Sequence, residues 1–197
     1  MPFLPVGFAP SAAVLFDERT RPDFRAVFGE YARRADDIAT AVTRVRLATM
    51  DLQAEEVERV ESFRVLVAEL NALTLDSEAR LIRSDPSKAP RVALLRELLE
   101  TGRLEIRSAP LGGWSPDFTV FSEEDGPVAV LAGFHWFERP HPHRGPALGM
   151  LHFRDAACLA ARRHAELWAQ AHDVGPAVWN ILSRAERSAR LLTVASG

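Results

Sequence analysis

The sequence predicts an α/β fold: a single domain with a mixed β-sheet flanked by helices. Three observations predict it. Segments with helical spacing alternate with short runs rich in β-branched residues, which is the grammar of helices packed on a sheet. Two of those runs flank a tight acidic turn and read as a hairpin, so antiparallel strands join a sheet that alternation alone would leave parallel. No internal repeat or low-complexity linker divides the 197 residues, and 47% of them are hydrophobic, enough for one well-buried core. The reading divides the chain into an N-terminal extension over 1–20, the α/β domain over 21–174 and a C-terminal helix over 175–197.

The elements follow in order. Thr20 precedes Arg21-Pro22-Asp23, with proline in the first turn, and Phe24, Val27, Phe28 and Tyr31 then repeat at helical spacing, predicting a helix over 22–34. Residues 37–45 are short and β-branched and read as a strand, with helix as the rival because of their alanines. Between 53 and 73, Val57, Val60, Phe63, Val67 and Leu70 follow helical spacing and predict the longest helix of the chain. A short strand is expected over 79–83. A helix follows over 91–100 with Val92, Leu95 and Leu99 inward and Gly102 as its stop. Strands over 104–107, 118–121 and 128–131 come next, the last two joined by Glu123-Glu124-Asp125-Gly126. Helices over 155–171 and 176–192 finish the chain.

Composition narrows the partners. A net charge of −3 and a pI near 6.1 give no overall attraction to a polyanion, so a nucleic-acid contact needs a local basic patch. Arg33, Arg34, Arg44, Arg46, Arg162 and Arg163 form such a stripe only if the fold brings them together; a solvated face is the plainer reading. Lys88 is the only lysine. Cys158, the only cysteine, sits among apolar residues and reads as a small buried hydrophobe that forms no internal disulfide. A reducing, cytoplasmic setting is expected. The first sixteen residues are apolar, but three prolines break them and they lack a basic leader, so neither a secretory signal nor a membrane anchor is predicted.

Chemistry concentrates in residues 133–149, GFHWFERPHPHRGPALG, which hold three of the six histidines. Pro140, Pro142 and Pro146 fix φ and remove amide donors, so a stiffened loop is expected rather than a helix or central strand. His135, His141, His143 and Arg144, with Glu138 nearby, can form a polar pocket at the end of the sheet that meets a phosphate or carboxylate with cationic donors. Trp114, from the Gly/Pro loop before the hairpin, and Asp117, at the start of the strand that follows it, complete the candidate ligand-binding set. The plainer alternative is that the same side chains tie the loop to backbone carbonyls. His141-Pro142-His143 places two imidazoles close together, but the helical His-x-x-x-His spacing is absent, so no metal and no cofactor are implied. His164 and His172 read as ordinary surface or half-buried residues, and Trp136, Trp168 and Trp179 as core or dimer contacts. No Gly-x-Ser-x-Gly elbow, Rossmann fingerprint or phosphate-cradling loop occurs.

The order of an early helix, the strand beginning Asp37, a helix ending Leu98-Leu99-Glu100-Thr101-Gly102, the strand Arg103 to Arg107, a Gly/Pro loop, the strand Asp117 to Phe121, and Val130-Leu131-Ala132-Gly133 before a polar loop resembles the phospholipase D-like superfamily. The segment around Ala165-Glu166-Leu167-Trp168 is similar to that family's final helix, and the match covers roughly 23–173. The resemblance implies a histidine and a lysine two apart on one strand, projecting to the same face, for attack on phosphorus and for holding phosphate. Here that strand starts Ser115-Pro116-Asp117-Phe118, no histidine has a lysine two residues later, and Gly133-Phe134-His135-Trp136 stands where a Gly-Ser-x-Asn turn belongs. The resemblance therefore implies a degenerate scaffold without its phosphodiesterase pair, and a homodimer. Two functions remain. One is a non-catalytic protein that binds a phosphate-bearing ligand, nucleic acid included. The other is a hydrolase that uses His135, His141 or His143 as base or nucleophile with Arg144 steadying negative charge.

Overall fold

The structure, a computed structural model, describes residues 14–16, 21–42, 53–68, 70, 72–85, 87, 89–110, 117–132, 149–153 and 155–195. Strands β2 (Asp37–Val42), β3 (Ser62–Val67) and β4 (Leu104–Ser108) lie side by side and parallel. On the other side of β2 runs β5 (Phe118–Glu123), antiparallel, followed by β6 (Gly126–Ala132), β7 (Gly149–Phe153) and β1 (Val14–Phe16), each antiparallel to its neighbour. A two-residue strand, β8 (His172–Asp173), closes the other edge against β4. The described sheet thus has eight strands in the order β1-β7-β6-β5-β2-β3-β4-β8. The helices are α1 (Arg21–Arg34), α2 (Ala72–Ser84), α3 (Ala89–Glu100), α4 (Asp155–Gln170) and α5 (Gly175–Ala195), with a 3-10 turn at Ala54–Glu56.

Side-chain alternation along the strands divides the interior into two cores. Ile38 and Val42, Phe63, Val65 and Val67, Leu104 and Ile106, and Phe121 face one side, where Phe28 and Ala32 of α1, Ile82 of α2, Val92, Leu95 and Leu98 of α3 and Val178 and Leu182 of α5 cover them. Phe28 meets Phe121 edge-on with centroids 5.2 Å apart. Ala39, Ala41, Leu66, Phe118, Val120 and Val130 face the other side, where the only helical residues in the buried cluster come from α4. Small residues at 156, 157, 160 and 161 let that helix sit close to the sheet, with Leu167 and Trp168 filling the space beyond. Burying the middle strands on both faces is the usual state of parallel strands.

The mixed sheet, the strand from Asp37, the helix ending before Gly102, the hairpin and both closing helices all match the sequence expectation. Residues 53–73 do not form a helix. They contain the 3-10 turn, β3 and only the start of α2. Phe63, Val65 and Val67 share one core while Leu66 enters the other, so the period that matters there is two; the 3.6-like spacing of Val57, Val60 and Phe63 arises because a turn and a strand happen to bury residues three apart. Residues 79–83 are helical, inside α2, with Ile82 buried and Leu81 outward. The longest described helix is α5. Strands β1, β7 and β8 went unpredicted, and β1 falls within 1–20. Cys158 is exposed rather than buried, because it lies off the inward stripe that Ala156, Ala157, Ala160 and Ala161 form on α4. Among the described residues, no helix is long and apolar enough to cross a membrane.

Candidate functional site at the carboxyl ends of the parallel strands

The chain steps outward from β2 through β3 to β4, then returns to the opposite side of β2 with β5, so the strand order reverses at β2. In open α/β sheets the crevice outside the carboxyl ends of the strands at such a reversal is where ligands bind. The registers fix what is present there. Ala41 pairs with Phe118, Phe118 with Ala132, and Ala132 with Met150, so the end of β2, the start of β5, the end of β6 and the start of β7 all meet at one end of the sheet. Segments 43–52, 111–116 and 133–148 leave from this end.

Of the sequence-predicted site residues, Asp117 is described. It immediately precedes β5, is 5% exposed, and stands beside the end of β2 at the reversal. Trp114, His135, Glu138, His141, His143 and Arg144 lie outside the described residues. His172 reaches the same end of the sheet, exposed, opposite the buried Ser108 at the end of β4. The arginine stripe does not assemble from its described members. Arg33 and Arg34 are on α1 and Arg162 and Arg163 on α4, on opposite faces of the sheet, and Arg34 and Arg163 engage Glu123 at 2.9 Å and Glu166 at 3.3 Å.

The polar group that sequence reasoning missed is His164. It is 1% exposed, its Nε2–H donates to the Thr40 carbonyl at 3.1 Å, and its ring stacks on Trp168 with centroids 5.5 Å apart and meets Phe118 edge-on. Burial, and then the nearby Arg64 guanidinium, push its pKa down to about 4, so it is neutral near pH 7. The signal was present: 157, 160, 161, 164, 167, 168 and 171 form a continuous stripe at helical spacing, and His164 is in its middle. The guanidinium of Arg107 lies 4.5 Å from the Trp168 ring centroid and extends the stack to β4. On the opposite face, Thr40 and Thr119 share a hydrogen bond between their hydroxyls, and Thr40 Oγ1 also donates to the Phe118 carbonyl at 3.3 Å.

Among the described residues, two cavities lie elsewhere. One of about 300 Å³ sits past β4, lined by Leu99, Ile106, Asp173 and Trp179. The other, about 570 Å³, lies at the β5–β6 turn and is lined by Tyr31, Arg34, Glu123 and Cys158. Burial raises the Tyr31 phenol above its usual value, helped by Glu30. Among the described residues, no three His, Cys, Asp or Glu side chains converge to hold a metal ion.

No protein family's sequence pattern matches the chain, and no curated protein matches it in sequence. Solved structures do. Nuc from Salmonella typhimurium, a phospholipase D family member, is similar at a TM-score of 0.52 and 11% identity, over 83% of this chain and 98% of that one. NucT from Helicobacter pylori is similar at 0.53 and 8%, over 83% and 99%. TrmBL2, described as an archaeal chromatin protein with a novel mode of DNA binding, is similar at 0.49 and 12%, over 87% of this chain and 56% of that one, so this chain spans little more than half its length. The likeness to Nuc and NucT, with the helix-flanked mixed sheet, gives the chain a fold like that of phospholipase D-family structures.

Proposed function

We propose that this protein is a non-catalytic binding protein that recognises a phosphate-bearing ligand through the segment after β6, on a phospholipase D-like sheet that has lost its phosphodiester-cleaving pair. One observation carries the reading. The His/Arg/Pro segment is inserted between Ala132 and Gly149, whose strands end and begin beside the buried Asp117 at the point where the strand order reverses. Imidazoles and guanidiniums supply charge-assisted donors to phosphate oxygens, so His135, His141, His143 and Arg144 are the ligand-facing donors in this reading. In the same reading Glu138 and Asp117 complete the ligand-binding set and Trp114 supplies its wall.

Cleavage in the resembled family needs a lysine two residues after the histidine nucleophile, and no such pair occurs in the chain. Bis(p-nitrophenyl) phosphate should therefore not be turned over, and inorganic phosphate should shift the imidazole NMR resonances of the segment. Turnover that disappears in His135→Ala would replace this reading with a hydrolase; still imidazoles in phosphate would remove the binding site. If the phosphate belongs to nucleic acid, oligonucleotide affinity should fall steeply with salt, because each neutralised phosphate releases counterions.

A further inference from the structure

Helix α4 crosses the sheet obliquely: its first half packs on β6, His164 reaches β2, and Trp168 reaches Arg107 on β4. Among the described residues, the face of β3 and β4 beside it is only partly covered, with Glu105 exposed and Arg64 and Arg107 half-buried. Arg64 and Arg107 both lie on that face, since their alternate neighbours Phe63, Val65, Leu104 and Ile106 are buried in the opposite core. Arg64 pairs with Glu105 across the strands and Leu66 with Arg107, so the two arginines are diagonal neighbours.

Their partners are unequal. Arg107 Nη2 donates to Glu105 Oε2 at 3.2 Å and its guanidinium rests on Trp168. Arg64 forms no ion pair with a described residue, although Glu105 stands opposite. The Nε atoms of both arginines are shielded from solvent and have no hydrogen-bond partner among the described residues. A half-buried guanidinium with a shielded, unmet donor is costly unless an anion completes it. Glu105, already held by Arg107, leaves that place open.

We propose that Arg64 and Arg107 form an anion site on the α4 side of β3 and β4, separate from the histidine segment, that binds the oxyanion of a phosphate or phosphomonoester. Two forked guanidiniums on adjacent strands suit an acceptor with several oxygens better than a single carboxylate. Trp168 is already stacked with His164 and Arg107, so the site recognises the charged group and offers no platform for a base. Glu105 competes with the ligand for Arg107.

Inorganic phosphate is the probe. At about 10 mM, where a millimolar site is mostly filled, the Nε–H resonances of Arg64 and Arg107 should shift relative to chloride of equal ionic strength. Arg64→Met, which keeps the chain's length and removes its charge, should abolish both shifts. Glu105→Gln, an exposed substitution, should tighten phosphate by about two- to fivefold by removing the competing carboxylate. Unmoved Nε resonances, shifts that survive Arg64→Met, or unchanged affinity in Glu105→Gln would each overturn the site. Imidazole shifts in the histidine segment without Nε shifts would do the same while leaving the proposed function intact; Nε shifts without imidazole shifts would do the reverse.

Discussion

His164 is the residue whose environment differs most from its sequence appearance. A neutral imidazole in the core hydrogen-bonds the Thr40 carbonyl, whereas its charged form would be desolvated and would face Arg64. Its folded pKa of about 4 lies below the ordinary value near 6.5, so the unfolded chain binds the extra proton between those values. Stability from this group is therefore complete above about pH 6.5 and is lost as pH falls toward 4, on the order of 3 kcal/mol over the window. Urea unfolding between these pH values should show this slope in the wild type and a shallower one in His164→Leu; equal slopes would refute it. Arg103 is the second decisive side chain. It donates to the carbonyls of Val60 at 2.9 Å and Glu58 at 3.0 Å and to that of Val57, so one guanidinium holds the turn that leads into β3. Arg103→Met should cost about 2 kcal/mol in chemical denaturation, because the carbonyl of the buried Val60 loses its donor and that of the buried Val57 keeps only the Val60 N–H at 3.3 Å.

At the scale of elements, the end of α3 shows how a sequence signal becomes geometry. Gly102 follows the helix with φ of +70° and receives the chain into β4 through a bond from its N–H to the Leu99 carbonyl at 3.2 Å. A Cβ there would meet nothing within 4 Å, so the penalty for a side chain is conformational alone. Gly102→Ala should lower stability by about 1 kcal/mol, and Gly102→Asn by less, since asparagine tolerates the left-handed region. Equal losses for both would mean that packing, not φ, governs the position. Glycine was readable because its reason is local. β3 was not, because Val57 and Val60 are buried by a turn and Phe63 by a strand, and only the neighbours β2 and β4 decide that Val65, Leu66 and Val67 are extended.

For the molecule as a whole, the reversal of strand order at β2 sets the candidate site, and the proposed homodimer belongs to the same scale. Light scattering at micromolar concentration should give twice the chain mass of 21.8 kDa; a monomer would count against it. By itself the sequence determined the helix-flanked mixed sheet, the hairpin, the closing helices and the crowding of imidazoles into one segment, because periodicity, turn residues and composition are local properties. The tertiary structure alone decided that residues 62–67 are a central strand, that Cys158 faces outward and His164 inward, and that Asp117 stands where the strand order reverses. It also decided that Arg64 and Arg107 become neighbours. Each of these depends on which strand lies beside which and which face a helix covers, and long-range pairing and burial set both.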